Sequence, residues 1–137
     1  CMYGFRDFKT YNLTYGNFFN LPEAMIDETN SVLPGMDGNK MSKSYSNYID
    51  LFTEEKTLQK KINQIKTDSL EPGEKKPKNS ILYKYFKCFG NEKDFKKIND
   101  YFDEGMGWGD LKKELFKMIN DELGSFRDKY FTLMNNI

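Results

Sequence analysis

Pro34-Gly35-Met36-Asp37-Gly38-Asn39-Lys40-Met41-Ser42-Lys43-Ser44 carries the densest chemistry in the chain and separates two halves of different texture. Two lysines stand three residues apart, with hydroxyls at Ser42 and Ser44. A lysine is a compact point charge on a long stem and suits phosphate oxygens. A loop rich in backbone N–H groups adds further donors for an anion. Gly35 and Gly38 can serve as hinges, so that the loop closes for a reaction and reopens for release. Without context, Lys and Ser on a loop are also ordinary solvated residues, because short motifs recur by chance.

Outward from that loop, residues 1–50 are rich in Gly and Asn with short apolar runs. Residues 7–15 read as the end of a helix closed by Gly16, and residues 17–26 as a short strand and turn around Pro22. From residue 53 onward the text is helical. Thr53 is the expected N-cap of a first helix, with Glu54 and Glu55 in its opening turn. Leu58, Ile62 and Ile65 form its apolar stripe, and it should stop near Thr67-Asp68-Ser69. A loop with Pro72, Gly73 and Pro77 follows. Residues 80–89 present Leu82, Tyr85, Phe86 and Phe89 on one face before Gly90. Residues 92–102 turn Phe95, Ile98 and Phe102 inward. Gly105-Met106-Gly107-Trp108-Gly109 reads as a tight turn. A last long helix over about 110–134 has Leu111, Leu115, Met118, Ile119, Phe126, Tyr130 and Leu133 as its stripe, with Gly124 marking a bend. Four helices with short connections predict a small bundle.

The chain has 137 residues, enough for one domain or the end of a larger one plus a helical module. Its 21 acidic and 21 basic side chains cancel, so any nucleic-acid surface must be local. Cys1 and Cys88 have no metal-ligand spacing and read as free thiols of a reducing compartment. No apolar run spans a membrane and no secretory signal is visible, so a cytoplasmic protein is expected. There is no histidine, which removes the commonest general base and metal ligand. The start at Cys1 predicts a fragment. The lysine faces 56/60/61/66 and 112/113/117 fit either contact with nucleic-acid phosphates or solvated helix surface. Trp108 fits either a stacking platform for a base or a core anchor.

The loop matches, residue for residue, the KMSKS signature motif of class I aminoacyl-tRNA synthetases, and Tyr45-Ser46-Asn47-Tyr48-Ile49 resembles that family's continuation. The flanks resemble the tryptophanyl branch. Leu33-Pro34-Gly35-Met36-Asp37-Gly38 is similar to its Leu-Pro-Gly-x-Asp-Gly lead-in, and Leu21-Pro22-Glu23-Ala24 to the strand before it. Thr67-Asp68-Ser69 with Pro72 matches a recurring element. Gly107-Trp108-Gly109-Asp110-Leu111-Lys112 resembles Gly-Tyr-Gly-Asp-x-Lys, with Trp for Tyr. Residues 120–133 resemble the penultimate helix, where an Arg such as Arg127 is usual. The family's His-x-Gly-His motif and tryptophan pocket are missing from these residues.

The resemblance implies a mainly α chain: residues 1–52 as the end of a Rossmann-type α/β catalytic domain, and 53–137 as a helical, anticodon-binding-type domain. It implies ATP-dependent activation of tryptophan and its transfer to tRNA, with Mg²⁺ entering on ATP and no protein metal site. Lys40 and Lys43 would be catalytic, neutralising the departing pyrophosphate. Met41, Ser42 and Ser44 would shape the loop around ATP. Lys112, Lys113 and Arg127 are the candidate tRNA contacts. A homodimer is expected of the complete enzyme, with no membrane association, and these residues alone are expected to be inactive. The alternatives are another class I synthetase, chiefly tyrosyl, or a non-catalytic helical tRNA-binding module.

Overall fold

The computed structural model describes residues 2–21, 23 and 33–136, with backbone alone for 2–5. Helices dominate: α1 (Met2–Tyr15), α2 (Glu55–Asn63), α3 (Ile81–Phe89), α4 (Glu92–Asp103) and α5 (Trp108–Met134). Among the described residues there is no named strand, only an isolated antiparallel bridge between Pro34 and Lys40. The chain forms two compact units, Cys1–Ser31 and Val32–Ile137.

The first unit is built on α1. The helix ends as expected at Gly16, whose φ of +94° suits a residue without Cβ. Asn12 then holds the exit: its Oδ1 accepts from the N–H groups of Phe18 (3.1 Å) and Phe19 (2.9 Å), and its Nδ2 donates to Phe19 O. Phe8 stacks on Phe19 at 4.6 Å. The expected strand is not seen over residues 17–21 and 23. The Asn12 bonds take up backbone donors that a ladder would need. The rest of that expectation, at Pro22 and residues 24–26, lies outside the described residues, as does Cys1.

In the second unit α5 packs on α2 and α3. The core joins Leu58 and Ile62 of α2, Leu82, Tyr85 and Phe86 of α3, Ile98 and Phe102 of α4, and Leu111, Leu115 and Ile119 of α5. Ile65 and Met36 enter it from outside any helix. Close packing of such side chains stabilises by about 2 kcal/mol each. Caps follow the chemistry of the sequence at α3, where Ser80 Oγ accepts from Tyr83 N–H, and at α4, where Asn91 and Asp94 form a reciprocal capping box.

Several expectations are corrected. Helix α2 starts after Glu54, not Thr53, without a side-chain cap, and ends at Asn63 instead of near 67–69. Beyond its end, Lys66 N–H donates to Met36 O at 2.8 Å, a tertiary acceptor in place of a helical one. Gly90 closes α3 with an ordinary φ of −77°. It is glycine because a Cβ there would lie 2.7 Å from Phe86 O. The turn before α5 is shorter than expected: Gly105 turns with φ +75°, and Gly107 already caps a helix that includes Trp108 and Gly109. That helix runs unbroken through Gly124. Its stripe is buried only in its first half. Phe126 is 57% and Leu133 67% exposed, and Tyr130 is also exposed.

A lysine loop latched by Asn47

The segment from residue 33 to 53 is pinned to the helices at both ends. At its start, Met36 is buried in the core, and buried Tyr85 donates its hydroxyl to Pro34 O at 3.0 Å. Burial pushes the Tyr85 phenol up to about 12. Past the motif, Lys61 Nζ donates to Tyr48 O (3.0 Å) and Asp50 Oδ2 (3.1 Å) and lies over the Tyr48 ring. Lys61, expected on a phosphate-binding or solvated face, is therefore an anchor of the loop.

Between those anchors the chain makes a tight turn. Gly35 N–H donates to Asn39 O (2.8 Å) and Gly38 N–H to Gly35 O (2.9 Å). Gly38 has φ +88°, the left-handed region where glycine is preferred. Gly35 is buried, and a Cβ there would sit 2.3 Å from Asn47 Nδ2. Its glycine is required by close packing in this conformation, a role the hinge expectation did not include. Asp37 caps the turn, accepting from Asn39 N–H at 3.0 Å and Asn39 Nδ2 at 2.9 Å. Side-chain hydrogen bonds from Asn39 and then Asn47, with the Asn39 backbone, hold the Asp37 carboxyl below its ordinary value.

Asn47, 4% exposed, is the centre of the arrangement. Its Oδ1 accepts from Ser42 N–H at 2.8 Å, and its Nδ2 donates to Asp37 Oδ1 at 2.9 Å and Lys40 O at 3.1 Å. Its own carbonyl accepts from Met36 N–H at 2.8 Å. Two acceptors on one side and one N–H donor on the other leave the carboxamide a single orientation. Ser46, with φ +50°, makes the turn that returns the chain to this point, its N–H donating to Lys43 O at 3.1 Å. Composition and spacing gave no sign of the latch; the only hint was an Asn recurring after the motif.

The chemical groups face outward from this frame. Lys40 and Lys43 are exposed, and among the described residues neither ammonium has a partner. Ser42 and Ser44 share a hydroxyl–hydroxyl contact of 2.8 Å. The loop thus offers two free cations, while its one acid is committed to asparagines. Two exposed ammonium groups on one loop suit an anion bearing several charges.

The other candidates are placed differently. Lys112 Nζ donates to Asn63 O at 2.8 Å, and burial lowers its pKa. Lys113 is exposed and pairs with Asp110 at 2.9 Å, a weak surface bridge. Arg127 is 5% exposed and donates through Nη2 to Asn120 Oδ1; among the described residues its Nη1 has no partner. The structure does not bring these three together with the lysine loop. Trp108 is half-buried, packs edge-on to Phe102 at 6.3 Å, and donates its indole N–H to Asp68 Oδ1 at 2.9 Å. Asp68, which the sequence shows only as part of a helix stop, is thus an anchor for that ring. Lys76, 1% exposed, donates to Leu70 O and Glu71 O beneath the same indole. Among the described residues no three acids, cysteines or histidines cluster as metal ligands, and no helix is long and apolar enough to cross a membrane.

A cationic loop pinned to a helical bundle defines a class that sequence comparison makes specific. Residues 5–124 match the family described as tRNA synthetases class I (W and Y), and the chain belongs to that family. Its curated relatives include the tryptophan–tRNA ligase of Pseudomonas syringae pv. tomato, 42% identical over 92% of this chain and 29% of the relative. That of Neisseria meningitidis is 41% identical over 88% of this chain and 36% of the relative. The tryptophanyl-tRNA synthetase of Campylobacter jejuni, solved with ADP and tryptophan, superposes with a TM-score of 0.74 at 37% identity. It covers 96% of this chain and 42% of that one. The chain spans about 30% of the length of the first of these relatives.

Proposed function

We propose that this chain is the ATP-clamping loop and helical domain of a tryptophan–tRNA ligase. What carries the reading is the pair of ammonium groups, Lys40 and Lys43, unpartnered among the described residues, on a loop closed by hydrogen bonds, in a chain 42% identical to such ligases. In the first half-reaction the carboxylate of tryptophan attacks the α-phosphorus of ATP. The bond from that phosphorus to the bridging oxygen breaks, and pyrophosphate leaves with the growing charge. Lys40 and Lys43 neutralise that charge, and their effect is largest in the transition state. Met41, Ser42 and Ser44 shape the loop around the nucleotide. Mg²⁺ enters with ATP and balances the phosphates. Tryptophan is then transferred to tRNA.

In this reading residues 1–52 end the Rossmann-type catalytic domain and 53–137 form the anticodon-binding-type domain. The complete enzyme works in the cytoplasm as a homodimer. Of the three cations first considered for tRNA, Lys113 is the one exposed to phosphate; Lys112 serves Asn63 and Arg127 is buried. The test is tryptophan-dependent ATP–pyrophosphate exchange by the complete protein. Lys40→Ala or Lys43→Ala should each lower kcat about 100- to 1,000-fold, the usual effect of removing one charge-stabilising donor. An unchanged rate would leave the chain a non-catalytic tRNA-binding module. Exchange with tyrosine in place of tryptophan would move it to the tyrosyl branch.

A further inference from the structure

We propose that Asn47 is a positioning residue for catalysis, holding Lys40 and Lys43 in the geometry that meets the leaving group. The proposal rests on the assignment of those lysines to the pyrophosphate. All three carboxamide bonds of Asn47 end on the loop itself, and none reaches a helix. One holds the carbonyl of Lys40, and another holds the N–H of Ser42, the residue before Lys43. The third ties the side chain of Asp37, so the lead-in, the first lysine and the approach to the second converge on one buried amide. The attachments to the helical core are made by other groups: Met36, Tyr85 and Lys61. Even the Met36–Asn47 bond is backbone to backbone and survives a change of side chain. The side chain of Asn47 therefore shapes the loop, while separate contacts hold it in place.

This division predicts a specific kinetic pattern. Exposed lysines on long stems lose their common aim when the backbone between them is free, and misplacement of about 1 Å lowers a rate about 100-fold. Asn47→Ala removes all three bonds. Asn47→Asp keeps the acceptor for Ser42 N–H, loses both donors and sets a second carboxylate against Asp37.

The experiment is steady-state pyrophosphate exchange by the complete protein, with Lys40→Ala as control and circular dichroism to verify folding. Asn47→Ala and Asn47→Asp should each lower kcat about 100-fold, with the KM for tryptophan changed less than about twofold. Wild-type kcat in Asn47→Ala, alongside a loss in Lys40→Ala, overturns the role of Asn47 and leaves the lysines standing. An unchanged Lys40→Ala overturns the lysine assignment itself. A KM for tryptophan that rises in step with the loss of kcat reduces Asn47 to general structure and overturns the proposal.

Discussion

A methyl group at position 35 has no room. The Cβ of Gly35→Ala would lie 2.3 Å from Asn47 Nδ2 and 2.8 Å from Asn47 O. Both atoms are held by hydrogen bonds, so the clash displaces either the latch or the core-bound Met36 beside it. Overpacking of this kind costs about 1–3 kcal/mol, and urea unfolding of Gly35→Ala should show a loss of that size. At this scale the candidate site was half legible. Two lysines and two serines mark a candidate anion site because their chemistry is carried in the side chain alone. Asn47 and Gly35 act through distances to atoms 5 to 12 residues away, which no local pattern encodes.

Helices were more legible than their ends. An apolar residue at every third or fourth position places α3 and α4 within a residue or two, because one face must be buried. The end of α2 shifted because a tertiary partner takes its backbone, Met36 O accepting from Lys66 N–H, while α5 starts early because Gly107 O already accepts from the N–H groups of Asp110 and Leu111 as the first turn of the helix. In α5 the same periodic stripe meets α2 and α3 through Leu111, Leu115 and Ile119, then runs on into exposure at Phe126 and Leu133. The two halves should therefore respond differently to truncation. Leu115→Ala should cost about 2–5 kcal/mol, while Phe126→Ser should stay within about 0.5 kcal/mol, both read from thermal or urea unfolding of this chain. Equal losses would place a buried partner on the distal half.

For the molecule as a whole, pH stability follows from a few shifted groups. Asp37 and Asp103 sit below the ordinary carboxylate value of 3.8, through hydrogen bonds from Asn39 and Asn47, and from Lys75 and Lys78 respectively. The unfolded chain protonates there first. The stability these groups contribute is present above 3.8 and is lost as pH falls through their lowered folded values. At the alkaline end the sign reverses. Tyr85 ionises near 10 when unfolded and at about 12 when folded. The folded state keeps the proton longer, so stability falls as pH rises between those values. Melting temperature against pH should drop on both sides. Tyr85→Phe should flatten the alkaline limb and leave the acid limb unchanged.

The residue types in the 40–44 loop, the helical periods after residue 53 and the stop at Gly16 were all determined by the sequence, because charge, hydrophobic spacing and backbone permissiveness are local properties. Only the tertiary structure decided that Met36 plugs the helical core, that Lys61, Lys112 and Arg127 serve their own chain, and that Asn47 closes the lysine loop. The reason is the same in each case. A buried polar group takes the partner that the packed chain brings to it, and which partner arrives depends on contacts that are remote along the sequence.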